Sequence, residues 1–255
     1  MGARSVKLPK GFRIAHFETI DSTNSEAMRR AHNGEASGLW IWAETQSAGR
    51  GRSGRSWESA RGNLFASLLL RPTCPVETVL QLSFVAGIAL HEAVTKVASA
   101  DQSRALALKW PNDLLLEEKK IGGILIESFD SGTGKGSAVV IGSGLNVTSH
   151  PGKALYPATN LSAHGLIATP ADVLGGLVAA MAEWLDIWDQ GEGFAQIREA
   201  WLARAVQIGR PVRIRLGDNE ISGVFGGIDE KGSMRLIDDD GAEKRIRAGD
   251  VFLAS

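Results

Sequence analysis

The sequence is short of several things, and each shortage excludes something. One cysteine, Cys74, in 255 residues rules out an internal disulfide framework and a multi-cysteine metal site, and it fits a reducing cytoplasm. Charge of either sign is not in excess: 28 Lys and Arg face 29 Asp and Glu, a formal net charge of -1. Strong attraction to nucleic acid or membrane would therefore need a local patch. No apolar run approaches the roughly 18–20 residues of a membrane span. The basic stretch Met1–Gly11 has no apolar segment behind it, so neither a secretory signal nor membrane attachment is expected. No dense carboxylate cluster marks a site for Mg2+, and its ligands stay unassigned. Internal repeats and low-complexity tracts are absent. What remains, 44% hydrophobic and 22% charged, is a globular composition with room for one large domain and one small one.

Glycine, by contrast, is plentiful. Its 30 residues cluster at 49–54, 122–123, 132–136, 142–144 and 223–227, which suggests turns and close backbone approaches in a ligand-binding sheet protein. Thr23 and Glu26 read as a capping box for a helix beginning near Asn24 and stopping at Asn33-Gly34. Leu39–Thr45 and Leu64–Leu70 read as strands. Apolar residues at helical spacing predict one long helix over 79–97. Leu106–Trp110 is a short strand; 114–116 and 121–126 form a hairpin with a charged tip. Val139–Ile141 is a strand ending in Gly142-Ser143-Gly144. Thr169-Pro170-Ala171-Asp172 opens a helix reaching Trp188, and 194–206 is another. Beyond Gly209, four short strands (212–216, 221–225, 233–237 and 244–247) predict a small barrel. Domains are thus expected over 1–207 and 208–255.

The most unusual segment is Gly49-Arg50-Gly51-Arg52-Ser53-Gly54-Arg55-Ser56-Trp57. It satisfies G-x-G-x-x-G, yet it runs through Gly62-Asn63 into a strand, where the dinucleotide pattern needs a helix. Chemically it offers unshielded backbone N–H groups and three guanidinium groups, both suited to phosphate. Trp57 could stack on a purine or shield a ligand from water. Such a loop would be mobile when empty, ordering when an anion offsets the repulsion among its arginines. A solvated basic loop and a non-specific nucleic-acid contact are the competing readings.

Lys109-Trp110-Pro111-Asn112-Asp113 follows a strand directly. Pro111 holds Trp110 out of helical geometry, so Lys109 sits on a rigid strand, where partial desolvation strengthens its pull on an anion. A surface lysine beside a Pro-Asn turn is the alternative. A mobile Arg/Gly loop together with a fixed lysine is what adenylation requires: cations that bind a triphosphate and stabilise charge at the α-phosphate.

At these residues the chain resembles the biotin–protein ligases. Gly49–Trp57 is similar to their GRGRxGRxW loop and Lys109–Asp113 to their KWPND motif. Asp21-Ser22-Thr23-Asn24, Ala43-Glu44-Thr45-Gln46, Lys120–Glu127 and Ile141–Val147 resemble further stretches in the same order. The resemblance implies an α+β fold: a mixed-sheet catalytic domain of the class II synthetase and biotin/lipoate ligase type, with an SH3-like C-terminal barrel. It implies that biotin and MgATP give biotinyl-5′-adenylate, which then acylates a lysine of a biotin carboxyl carrier protein, an acetyl-CoA carboxylase subunit or that of another biotin-dependent carboxylase. By position, Ser22, Thr23, Asn24 and Gln46 would bind the ureido ring. Arg50, Gly51 and Arg52 would cover the carboxylate and phosphate, and Gly123 and Gly144 would leave backbone room beside the bicyclic ring. Arg52, Arg55, Trp57, Asn112 and Asn146 would face ATP, while Lys109, with Arg52, would act on the reacting carboxyl and α-phosphate. For Thr23 and Ser22 a helix-capping role competes with ligand binding; for the glycines, a turn does.

The chain departs from the family pattern at Ser53, where many relatives carry a third consecutive basic residue; this implies weaker adenylate retention. Several relatives bear an N-terminal helix-turn-helix. Only about 20 residues precede Ser22, too few for three helices, so no operator DNA binding is expected. A homodimer formed through a sheet edge is a further implication. The alternatives are a lipoate–protein ligase and a nucleic-acid-binding module, against which the acidic stretch Asp238-Asp239-Asp240 argues.

Overall fold

The computed structural model describes residues 6–130, 137–152 and 156–253. The glycine cluster at 132–136 and the start of the Met1–Gly11 stretch lie outside the described residues. The larger unit is a seven-stranded mixed sheet ordered β1-β2-β3-β7-β6-β5-β4. Its strands are β1 (Arg13–Ile20), β2 (Leu39–Gln46), β3 (Leu64–Leu70), β4 (Leu106–Lys109), β5 (Asp113–Leu116), β6 (Lys119–Asp130) and β7 (Ser137–Leu145). Only β1 and β2 pair in parallel; the other neighbours are antiparallel. Strand β3 is central and buried almost throughout, hence its unbroken apolar sequence LFASLLL.

One face of the sheet carries α3 (Leu82–Thr95), α5 (Pro170–Trp188) and α6 (Phe194–Leu202), which close the main core. The other face is covered by α1 (Thr23–His32), over a small cluster of Ala27, Ala31, Ile41, Leu69 and Val140. Thr169 and Asp172 form the expected capping box of α5, with Pro170 in its first turn.

Several local expectations need correction. Ser22, not Thr23, caps α1, its Oγ accepting from Ser25 N; the Glu26 carboxylate is taken by Arg29 and Arg30 and does not return to the cap. The helix expected over 79–97 comes in two pieces, α2 (Val76–Val79) and α3, followed by an unforeseen α4 (Ala100–Arg104) with a Ser99–Gln102 capping box. The stretch Val76–Thr95 is also long and apolar enough, by length and composition, to cross a membrane, contrary to the reading of the sequence. Here most of it is buried in the core. The last helix ends at Leu202 because residues 204–206 turn to follow β4: Leu108 N donates to Arg204 O, and Val206 N to Leu108 O. Gly142-Ser143-Gly144 continues β7 instead of ending it.

The smaller unit is a five-stranded antiparallel sheet ordered β11-β10-β9-β8-β12. It comprises β8 (Pro211–Leu216), β9 (Asn219–Ile228), β10 (Met234–Ile237), β11 (Glu243–Ile246) and β12 (Asp250–Leu253). β1 and β12 had no counterpart among the expected strands. Val212, Ile214, Phe225, Met234 and Leu236 belong to the same buried cluster as the main core. Trp110 Nε1 donates to Gly232 O across the junction, at 3.1 Å. The two sheets therefore meet directly behind the Lys109–Asp113 turn.

Candidate active site

A cavity of about 440 Å³ opens where the ends of β2, β4 and β5, the middle of β6 and β7, the start of α1 and the strand β12 converge. That volume falls within the roughly 300–1,000 Å³ of small-molecule sites. Every residue singled out in the sequence lines it: Ser22, Thr23, Asn24, Gln46, Arg50, Gly51, Arg52, Arg55, Trp57, Lys109, Asn112, Gly123, Gly144 and Asn146.

One end is neutral. Thr23 N and Oγ1 donate to Gln46 Oε1 at 2.8 and 3.1 Å, and Gln46 Nε2 donates to Ser59 Oγ at 2.9 Å. Ser67 Oγ, from the middle of β3, lies 2.7 Å from Thr23 Oγ1 and 2.6 Å from Asn24 Oδ1. Asn24 Nδ2 donates to Glu127 at 2.7 Å. These contacts fix which amide end of Gln46 and Asn24 faces where. A Cβ at position 142 would lie 2.2 Å from Asn24 Oδ1, so Gly142 serves this approach and not a turn. Thr23 is thus free of capping duty, whereas Ser22 both caps the helix and lines the cavity.

The Gly/Arg loop closes on itself. Gly51 N donates to Arg55 O, Trp57 N donates to Gly49 O, and Arg50 bridges Ser56. At its tip Ser53 and Gly54 take left-handed conformations (φ 55° and 71°) within a single 3-10 turn. No α-helix opens at the last glycine, which removes the dinucleotide reading. The expected repulsion among the arginines is offset inside the chain: Arg50 pairs with Glu127 at 2.8 Å, and Arg55 grips both oxygens of Asp250 at 2.8 and 3.1 Å. Arg52 donates to a neutral partner, Asn112 Oδ1, at 2.9 Å and makes no ion pair among the described residues; burial lowers its pKa against the pull of Asp113 and Asp250. Trp57 lays its indole on the extended backbone of β6 and β7. A Cβ at Gly144 would come within 2.7 Å of the ring, so the room attributed to a ligand beside Gly144 and Gly123 is occupied by tryptophan. The Trp57 Nε1 donor is buried without a hydrogen-bond partner among the described residues.

The other end is charged. Lys109, the last residue of β4, precedes a cis Trp110–Pro111 bond and a turn into β5. Its ammonium lies 3.4 Å from Asp113 Oδ2, donates to Val251 O at 3.2 Å, and sits 3.9 Å from the centre of the Tyr156 ring. Lys120 reaches the other Asp113 oxygen at 2.6 Å. Burial pushes the Lys109 pKa down against the pull of Asp113; burial would raise Asp113, but Lys120 and Lys109 outweigh it and hold the carboxyl below its ordinary value. Tyr156 is pushed up to about 12 by burial and by Asp250 and Asp113, which keeps its hydroxyl neutral. Asn112 Nδ2 donates to Ile124 O, and Asn146 Nδ2 to Thr159 O, so both brace the wall as well as line it.

The sequence reading missed Lys120, Asp113, Ser67, Glu127, Tyr156 and Asp250 as site groups. Lys120, Asp113 and Glu127 stood inside quoted motifs, and a buried carboxylate between two lysines four and seven positions away is a signal they could have carried. The Lys120 side chain is 22% exposed and that of Lys109 6%, so Lys120 is the more accessible of the two ammoniums. Five cationic side chains (Arg50, Arg52, Arg55, Lys109 and Lys120) and three acidic ones (Glu58, Asp113 and Asp250) line the cavity, leaving a positive surplus for an anion. Among the described residues no group of three His, Cys, Asp or Glu could hold a metal ion.

A neutral hydrogen-bonding end joined to a cationic end, across the inner strands of a mixed sheet, gives this α+β protein a cavity suited to a polar, anionic small molecule. Comparison with known proteins narrows the class. Residues 16–146 match the biotin/lipoate A/B protein ligase family and residues 207–254 the biotin protein ligase C terminal domain. The chain is 41% identical over 241 residues to a biotin–[acetyl-CoA-carboxylase] ligase of Paracoccus denitrificans, covering 91% of this chain and 97% of that one. It is 34% identical to the bifunctional ligase/repressor BirA of Escherichia coli over 96% of this chain and 75% of that one. A solved biotin protein ligase from Aquifex aeolicus, in complex with biotin and ATP, superposes with a TM-score of 0.78 at 28% identity, covering 94% and 97% of the two chains. The chain belongs to the biotin protein ligase family.

Proposed function

We propose that the protein is an ATP-dependent biotin–[acetyl-CoA-carboxylase] ligase working in two steps. In the first, a carboxylate oxygen of biotin attacks the α-phosphorus of ATP, the bond to the bridging oxygen breaks, and pyrophosphate leaves. In the second, the neutral amine of an acceptor lysine on a biotin carboxyl carrier domain attacks the activated carbonyl, forming an amide and releasing AMP. The observation that supports this best is the single cavity uniting the neutral Ser22–Thr23–Asn24–Gln46 end with the Arg52, Lys109 and Lys120 end.

The neutral end suits a urea ring, which needs donors and acceptors held in fixed orientation. At the charged end Arg52 is the guanidinium left without a carboxylate among the described residues, so an incoming anion finds it unsatisfied. Lys120, the more exposed ammonium, stands to meet the carboxyl and α-phosphate oxygens, with Lys109 behind it sharing Asp113. Asp113 and Asp250 are already paired with cations, and among the described residues no group of three His, Cys, Asp or Glu stands ready for a metal, which supports a Mg2+ that arrives with the nucleotide's phosphates. The cavity's positive surplus suits it to hold the acyl-adenylate until the acceptor arrives.

The test is incubation of the protein with MgATP, a carrier domain and either biotin or lipoate, followed by intact-mass measurement of the carrier. Addition of one biotinyl group with biotin alone supports the reading. A lipoyl adduct in its place, or no adduct, overturns it.

A further inference from the structure

Tyr156 is the only tyrosine of the chain, and no motif contains it. The segment that carries it is pinned to the strand of Lys120 just beyond the ring: Lys120 N donates to Pro157 O at 2.8 Å, and Thr159 N to Lys120 O at 3.0 Å. From that anchor the ring reaches across the cavity wall. Its face lies 3.9 Å from the Lys109 ammonium, and it packs 5.1 Å from the Phe252 ring at 45°. Its hydroxyl end faces the Arg55 guanidinium. Arg215 lies over the Phe252 ring at 4.8 Å, so that ring is itself held in place.

We infer that Tyr156 is a positioning residue for adenylation, its ring fixing the Lys109 ammonium and its hydroxyl end fixing the Arg55 side of the Gly/Arg loop. The inference rests on the ligase reading above. Lys109 is almost wholly buried, with one carboxylate oxygen at 3.4 Å and one carbonyl. Asp113 gives its shorter contact to Lys120. An ammonium so desolvated gains from an aromatic face, and the ring also bars the rotamers that would swing it away from the cavity. Arg55 spends Nε on Arg52 O and its terminal nitrogens on Asp250. The tyrosine hydroxyl end stands beside that guanidinium as a further polar neighbour. One side chain thereby ties together β4, the loop and β12, three segments far apart in the chain.

Two substitutions separate the two contacts. Tyr156→Leu removes ring and hydroxyl; Tyr156→Phe removes only the hydroxyl. Steady-state pyrophosphate exchange should show kcat falling about tenfold in Y156L, with KM for biotin little changed, and Y156F recovering most of that loss. Y156F should instead release adenylate faster, read as increased labelling of bystander proteins. A second readout does not need the ligase activity. Amine-reactive labelling of Lys109 in the unliganded protein, followed by peptide mass measurement, should be about fivefold faster in Y156L than in wild type or Y156F, because the ring covers the face of the ammonium that Asp113 and the Val251 carbonyl leave open. Wild-type protein that makes no adenylate sinks the ligase reading while leaving the labelling test intact. Unchanged Lys109 labelling in a folded Y156L overturns the inference, as does a Y156F variant as slow in kcat as Y156L. If Y156L does not fold, equal loss of kcat in Y156F and in Tyr156→Trp overturns it, since both keep an aromatic face.

Discussion

The two ends of the cavity are built in opposite ways. The neutral end is assembled from neighbours: Thr23 and Asn24 in the first turn of α1, Gln46 at the end of β2, and Ser67 on β3, all within one sheet and the helix lying on it. Its groups satisfy one another through ordinary hydrogen bonds, each contributing about 1 kcal/mol. The charged end draws on separate segments and both sheets. Arg50 and Glu127 are 77 positions apart, Arg55 and Asp250 195, and Lys109 and Val251 142. Here the buried charges, Lys109 and Asp113, depend on each other and on Lys120, while Arg50 and Arg55 pair nearer the surface. A local scaffold tolerates the loss of one member, whereas the buried Asp113, shared by two lysines, is the member the charged end cannot lose cheaply.

That contrast can be broken, starting where the effect should be greatest. Asp113→Asn leaves two lysines facing a neutral group in a buried setting. It should cost about 3–5 kcal/mol of folding free energy, measured by urea unfolding, and remove adenylation. A cost no greater than that of Gln46→Ala would erase the distinction between the two ends. Next, Lys120→Ala should lower pyrophosphate exchange about 100-fold, with Lys109→Ala a little less severe, both as folded proteins. The reverse order would return the leading electrophilic role to Lys109. Arg52→Ala should let adenylate escape about tenfold faster, seen as promiscuous lysine labelling. At the neutral end, Gln46→Ala should raise KM for biotin about fivefold and leave KM for ATP unchanged; a shift in the ATP constant would show that the ends are not separable.

One further effect, on stability alone, belongs to a group outside both ends. His91 is held near a pKa of about 4 by burial and by Arg204. The unfolded chain takes up this proton near the ordinary value of 6.5, so the folded state loses stability as pH falls from 6.5 toward 4. His91→Gln should flatten that limb of a stability-versus-pH curve without altering biotin or ATP constants. An unchanged slope would show that the imidazole does not govern it.

The cationic motifs were legible in the sequence because their signals are local, whereas the neutral end was implied only by the resemblance of Asp21–Asn24 and Ala43–Gln46 to the ligase family. Lys109-Trp110-Pro111-Asn112-Asp113 announces a strand, a stop and a turn in five residues, and the structure places its lysine and asparagine in the cavity. Thr23 and Ser22 were harder, since either hydroxyl can cap a helix, and only the neighbouring Gln46 and Ser67 decide which one does. Glu127 and Asp250 left no trace as partners of the loop: an ion pair closed by folding has no period and no spacing. Strand β12 was missed because its pairing with β8 is a property of the tertiary fold. The glycines misled in the other direction. Ligand room, or else a turn, was expected at Gly142 and Gly144, but extended backbone stripped of Cβ atoms seats Asn24 and Trp57.

The hydrogen bond from Lys109 to the carbonyl of Val251 has an architectural consequence. The final strand of the small sheet supplies part of the floor beneath the chemistry, so the C-terminal unit is not a detachable cassette. Grafting a foreign version onto this chain would retune the reactive centre even if every motif of the larger unit were kept. Clipping by a protease just ahead of Asp250 would leave a largely intact scaffold with its furnace door missing.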